Sequence, residues 1–247
     1  MCGRLLFLSL SPFSNLAISQ LETDYFVALD VDFVTNKNAY QQLRDLYTAY
    51  PNFTEVIKNK TLLVFPAFAS TVSNNNNNDA AALQNNKAQQ RNKAVPAPVA
   101  PRDKQELRQK YDQGLVEPMH LQQFPFKHGA TQFNVWLQQE ASSTEPFYPI
   151  SYEPQFEPVV LAYRHGLPRY WTGYRGHSYN KSSWTTETHN LGYKFAVLRN
   201  FFVVYDQTPK MGKVQELKYH EWDKFVEYRE RVRRGNQTAE ITQNENG

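Results

Sequence analysis

The sequence predicts an α/β fold, on three observations. Short β-prone apolar runs occur at Tyr25–Leu29, Thr61–Ala69, Val159–Tyr163 and Phe195–Tyr205, the composition of strands buried on both faces inside a parallel sheet. A helix-period stretch separates the first two, giving the strand, helix, strand order that parallel pairing requires. The first run then ends in two carboxylates, Asp30 and Asp32, and strand ends are where open α/β sheets bind ligands.

Taken in order, the residues from Leu5 to Ile18 suit either a strand or a helix. The Tyr25–Leu29 strand follows. If it stays extended, Asp30 and Asp32 leave the same face about 6 to 7 Å apart. Such a pair of hard oxygen donors suits Mg²⁺ or Mn²⁺, with substrate phosphates completing the shell. Acidic strand ends are also ordinary turn chemistry, and these residues alone leave both readings open. Asn38 is placed to cap a helix carrying Tyr40, Leu43, Tyr47 and Tyr50 on one face, and Pro51 ends it. In the Thr61–Ala69 run, Pro66 lies near the end, where a missing donor does least harm.

Residues 73–101 differ in kind, with five consecutive Asn, many Gln and Ala, and then VPAPVAP. Almost no large apolar side chain offsets the entropy of ordering, which predicts a disordered surface insertion. Structure is expected to restart at a capping box, Asp103 with Glu106, with Leu107 and Tyr111 sharing a face and Gly114 closing the helix. Phe124–Trp136 mixes aromatics with Lys127, His128 and small residues, a mix that suits a ligand wall or a core-packed loop and helix start. Glu153 and Glu157 each precede a proline just ahead of the Val159–Tyr163 strand. A carboxylate there either orients a hydroxyl, acts as a base or is a solvated turn residue. Tyr170–Lys181 is a glycine and aromatic loop, Ser182–Asn190 a helix, and Phe195–Tyr205 one or two strands. Lys213–Arg234 reads as a charged amphipathic helix with Leu217, Trp222, Phe225 and Val226 inward, and residues 235–247 as a polar tail.

Composition narrows the function classes. The 16 Phe, 15 Tyr and 4 Trp belong in cores, but a surplus of Tyr and Trp also suits flat polar ligands such as sugars and nucleobases. A net charge of +3, from 27 basic and 24 acidic residues, leaves no nucleic-acid footprint. Cys2 is the single cysteine, which excludes an internal disulfide and a cysteine-based zinc site. No apolar run reaches bilayer length. Sequons at Asn52, Asn59, Asn180 and Asn236 hint at a secretory lumen.

Several stretches, in order, carry a resemblance: SPFSNLAISQLETDYFVALDVDFV, LLVFPAF, PRDKQELRQKYDQG, KHGATQFNVW, FEPVV, GHSYNK, Glu187 and LRNFFVVY. Together, from about Pro12 to Arg234, they resemble glycosyltransferase family 49, the LARGE-like and β-1,4-glucuronyltransferase-like enzymes that build sugar on dystroglycan. The resemblance implies a GT-A type, Rossmann-like domain over residues 1–234, incomplete at its N-terminus. It implies an inverting transfer of glucuronate or xylose from a UDP-sugar donor to a glycan or glycoprotein acceptor. Asp30 and Asp32 match the acidic motif that binds Mn²⁺ (or Mg²⁺) across the diphosphate. Glu157 and Glu187 both sit where the family has Glu, and either is a candidate for the base. Lys127, His128, Thr131, Gln132, Phe133 and Trp136 match a sugar or acceptor wall, and Tyr179, Asn180 and Lys181 a loop over the site.

Two departures accompany it. Where the family places a metal-binding His, this chain has Tyr205, with Asp206 beside it as the substitute ligand. Only 29 residues precede Asp30, against a further block of sheet and helix in the family, and an upstream anchor fixing the protein on the lumenal side of the Golgi membrane is expected to be missing with it. The alternative expectation is a catalytically impaired glycan-binding pseudoenzyme or a truncated remnant.

Overall fold

A computed structural model describes residues 11–30, 32–71, 101–139, 145–174, 179–205, 225–228 and 230–232. From Ser11 on, the N-terminal choice resolves as a helix, α1 (Ser11–Ser19), with residues 5–10 outside the described residues, and β1 (Tyr25–Val27) follows. Then come β2 (Phe33–Thr35), α2 (Ala39–Ala49), α3 (Phe53–Lys58), β3 (Thr61–Phe65) and β4 (Ala67–Ser70). After the insertion stand α4 (Lys104–Asp112), β5 (Val116–Pro118), α5 (Pro125–His128) and α6 (Phe133–Gln138), with a 3₁₀ turn at Gly129–Thr131. The rest is β6 (Phe147–Ile150), β7 (Val159–Tyr163), α7 (Asn180–Asn190), β8 (Lys194–Leu198) and β9 (Val203–Tyr205). Helical residues at 225–228 and 230–232 close the described chain.

The strands form two mixed sheets, ordered β1-β7-β3-β8-β6 and β2-β9-β4-β5. Only β3 with β8 and β4 with β9 pair in parallel. This corrects the expectation of a parallel sheet. The chain leaves the larger sheet and enters the smaller one three times, at 28–32, at Pro66 and at 199–202. Proline tolerates the bend because it has no N–H to leave unpaired, and its carbonyl accepts from Val203 N–H at 3.0 Å. The single predicted strand at Thr61–Ala69 is therefore two, and so is Phe195–Tyr205.

Alternation along β3 and β8 buries the larger sheet on both faces. Leu62, Val64, Phe195 and Val197 join Phe133, Trp136 and Trp184 on one side. Leu63, Phe65, Ala196 and Leu198 join Phe53, Ile57 and Phe201 on the other. The first strand departs from this pattern. β1 is an edge strand, antiparallel to β7 and only half-buried.

Capping follows the sequence in one helix and departs from it in another. The Asp103 side chain accepts from Glu106 N–H at 2.9 Å, as the capping box predicts. Asn38 precedes α2 in a left-handed conformation and makes no side-chain cap. The Tyr40 and Tyr47 face of α2 stays open, at 52% and 57% exposure. At the C-terminal segment Phe225 is buried and Val226 is 41% exposed, so Val226 does not face inward as expected. Leu217 and Trp222, residues 73–100 of the expected 73–101 insertion and the 235–247 tail lie outside the described residues, while Pro101 is described and buried.

Candidate active site

The acidic turn lies at the outer end of the line where the chain crosses between sheets. Beyond Val27 the backbone turns, and Phe33 N–H donates to the Asp30 carbonyl at 3.0 Å. The expectation of an extended Asp30–Asp32 pair is thereby corrected: the chain must change sheets within these residues, and a tight turn does it. Buried Leu29 and Phe33 anchor its two sides. Phe33 packs on Tyr205 at 5.7 Å, across from it in register on β9.

The start of α7 faces this turn. Tyr179 takes a left-handed conformation ahead of the helix, and buried Asn180 accepts Lys181 N–H at 2.9 Å through its side chain. The Lys181 ammonium forms an ion pair with the Asp30 carboxylate. α7 buries Ser182, Ser183, Thr185 and Thr188, which is possible because Ser183, Thr185 and Thr188 return their hydroxyls to carbonyls of their own helix. The preceding loop folds back through Gly173, where any Cβ would meet the Trp171 ring at 2.2 Å.

A second ion pair lies on α5. Lys127 Nζ is 3.0 Å from the Glu157 carboxylate, and Glu157 N–H donates to the Lys127 carbonyl at 2.8 Å. Next to Lys127 in the chain, His128 is buried, with its pKa lowered to about 3 by burial first and then by His120, Lys181 and Lys127. It is a neutral imidazole at any physiological pH. The Tyr179 hydroxyl is raised by burial and then by the Glu157 charge, which ties the α7 start to that carboxylate.

Tyr170 was not singled out by its sequence. Its hydroxyl is pushed up by burial and then by Asp30. Asn15 clasps its backbone through 2.7 and 2.8 Å hydrogen bonds, and Trp184 stacks on it at 5.1 Å. No local pattern signals a clasp between residues 155 apart. From Asp30 and Lys181 a cavity of about 480 Å³ runs between α1, β1 and the open α2 face, past Tyr25, Tyr40 and Tyr47.

The sequence profile of a family described as the glycosyltransferase for dystroglycan matches residues 13–233. The chain belongs to this family. It is 25% identical over 191 residues to a chicken (Gallus gallus) xylosyl- and glucuronyltransferase LARGE2s, covering 77% of this chain and 21% of that one. It is 24% identical over 204 residues to mouse (Mus musculus) beta-1,4-glucuronyltransferase 1, covering 82% and 41%. A Dictyostelium discoideum glycosyltransferase-like protein, gnt14, matches at 25% over 197 residues, covering 79% and 26%. The chain thus spans between about a fifth and two-fifths of the length of these curated relatives. Its mixed α/β sheets accord with a GT-A type glycosyltransferase domain.

Within the glycosyltransferase domain, the residues that the sequence proposed for the site divide. Asp30, Lys127, His128, Glu157, Tyr179, Asn180 and Lys181 are brought together. Thr131, Phe133 and Trp136 are core, at 1%, 3% and 0% exposure. The Thr131 carbonyl accepts from Tyr148, Phe133 packs on Phe68, and Trp136 donates to the Leu198 carbonyl at 2.8 Å. Gln132 is exposed in a left-handed conformation ahead of α6. Glu187 lies six residues beyond Lys181 on α7, about 9 Å along the axis, where its carboxylate accepts from Tyr228 of the C-terminal segment. The Tyr228 hydroxyl is raised by burial and then by that carboxylate.

As a cation site, the donor set has the right chemistry and is small. Asp30 and Asp32 offer hard oxygens, but among the described residues no group of three His, Cys, Asp or Glu comes together. Asp30 already carries Lys181, and Asp206 lies outside the described residues. Two carboxylates are enough for a cation that takes its remaining ligands from water and phosphate oxygens.

Proposed function

We propose that this domain transfers glucuronate or xylose from a UDP-sugar to a glycan hydroxyl, with inversion, and depends on Mn²⁺ or Mg²⁺. The observation that carries the reading is the convergence of the Asp30–Asp32 turn, Lys181 and the Lys127–Glu157 pair around neutral His128. A divalent cation held by Asp30 and Asp32 would supply charge neutralisation at the diphosphate. Lys181 and Lys127 add positive charge for the donor's anionic groups, and the tyrosine-lined cavity suits sugar faces. The acceptor hydroxyl forms its new C–O bond at the anomeric carbon as the bond to UDP breaks. Glu157 receives the hydroxyl proton. Lys127 holds that carboxylate in place through their 3.0 Å ion pair, the positioning a general base needs. The names of the relatives, which are xylosyl- and glucuronyltransferases, support the donor class. We place the reaction in the Golgi lumen; among the described residues no helix is long and apolar enough to cross a membrane.

The test is transfer from radiolabelled UDP-glucuronate and UDP-xylose to oligosaccharide acceptors, with Mn²⁺ or with EDTA. Metal-dependent product supports the proposal, and equal product in EDTA removes the cation from it. A second reading, glycan binding without transfer, is favoured by Tyr205 packing on Phe33 where the resemblance expects a metal-binding His. It is supported if oligosaccharides bind in EDTA while neither donor is consumed.

A further inference from the structure

Lys181 is an unusual residue to find where it is. It occupies the second position of α7, at the helix end where positive charge is disfavoured, and no acidic residue stands in that first turn. The charges of Lys181 and Lys127 both bear on buried His128, so the two ammonium groups share one neighbourhood. Asp30, across the gap on the acidic turn, offsets the first of them. Both side chains of that pair are about one-third exposed, at 36% and 30%, so water and ions reach it and the pair is weak enough to exchange.

We infer that Lys181 is a tethered counter-ion that a divalent cation displaces from Asp30, coupling cation binding to anion binding. The inference rests on the reading of Asp30 as a cation ligand. When the cation takes the Asp30 carboxylate, the ammonium loses its partner beside a helix N-terminus and near Lys127. Its remaining favourable partner is an anion arriving with the ligand, such as a diphosphate oxygen. The cation and the anionic ligand therefore favour each other's binding through Lys181, and in their absence the ion pair offsets the charge of Asp30.

The test uses Mn²⁺ alone, followed by electron paramagnetic resonance, in the unaltered protein, Lys181→Gln and Lys181→Arg. Lys181→Gln is expected to bind Mn²⁺ about threefold to fivefold more tightly, the factor an exposed ion pair supports. Lys181→Arg, which keeps the charge, should stay near the unaltered protein. At saturating Mn²⁺, UDP should bind more weakly to Lys181→Gln, so that the two affinities move in opposite directions. Unchanged or weaker Mn²⁺ binding in Lys181→Gln overturns the counter-ion role while leaving the metal reading in place. If none of the three proteins binds Mn²⁺, the metal reading itself fails and this inference fails with it. Thermal melts of each variant check that the fold is intact.

Discussion

Replacing Trp136 by Phe separates a core residue from a ligand wall. The Trp136 ring has no exposure, donates to the Leu198 carbonyl at 2.8 Å and lies 4.1 Å from the Lys104 ammonium. It also packs on Phe68 and Phe202 at 5.5 and 6.1 Å. Phenylalanine keeps most of the packing but leaves the Leu198 carbonyl without its donor, a cost of about 1–3 kcal/mol. The smaller ring opens a void and weakens the cation–π contact by some tenths of a kcal/mol. Together these amount to about 2–3 kcal/mol. For a protein of this size that corresponds to a fall in Tm of about 5–10 °C. Trp136→Ala removes the whole ring, at about 3–5 kcal/mol, a large share of the stability of an ordinary domain. The assay is urea and thermal unfolding followed by far-UV circular dichroism, with UDP affinity measured on the folded protein. The core assignment is refuted if Trp136→Phe melts within about 1 °C of the unaltered protein while UDP binding weakens.

Three further outcomes follow from other parts of the molecule. Glu157→Gln should lower turnover by about 10²- to 10⁴-fold, the usual contribution of a general base, with melting nearly unchanged. Glu187→Gln should instead cost about 1 kcal/mol of stability by weakening the Tyr228 hydrogen bond and leave turnover nearly intact; the opposite split in parallel kinetics and melts would exchange the two roles. Glu106 is held at about 2 by the Arg102 backbone N–H and then by its guanidinium, below the 4.5 of a free carboxyl. Its contribution is therefore complete above about pH 4.5 and lost as pH falls toward 2. Urea midpoints measured from pH 5 to 2.5 should fall more steeply for the unaltered protein than for Glu106→Gln, and parallel curves would remove Glu106 from the acid transition.

Local chemistry was readable in the sequence where a few adjacent residues decide the outcome. The Asp103 cap of α4, the stop at Pro51 and the buried apolar runs of β3, β7 and β8 are of this kind. Pairing direction was not, because β1 and β3 are both apolar runs and nothing in their composition distinguishes an edge strand from a central one. Short elements were missed for a related reason: α3 has six residues and β5 three, too few for a period to emerge. At the candidate site, the family resemblance named Asp30, Lys127, His128, Glu157 and Lys181, which the fold brings near one another. It did not separate Trp136 and Phe133 from a ligand wall, since an aromatic side chain suits a sugar face and a core equally. The Asp30–Lys181 and Asn15–Tyr170 contacts join residues more than 150 positions apart, beyond any local pattern.

The triple crossing between sheets also bears on synthesis. Among the described residues, β1 pairs only with β7 and β2 only with β9, so Tyr25 waits for Tyr163 and Phe33 for Tyr205. The acidic turn lies between these two strands. It precedes both partner strands in the sequence and takes its shape only once they have followed it. Contacts this distant in sequence form slowly, and a chain stalled before β9 would expose both partner-less edges around its most charged turn. Quality control acting on that intermediate would in effect be inspecting the candidate site.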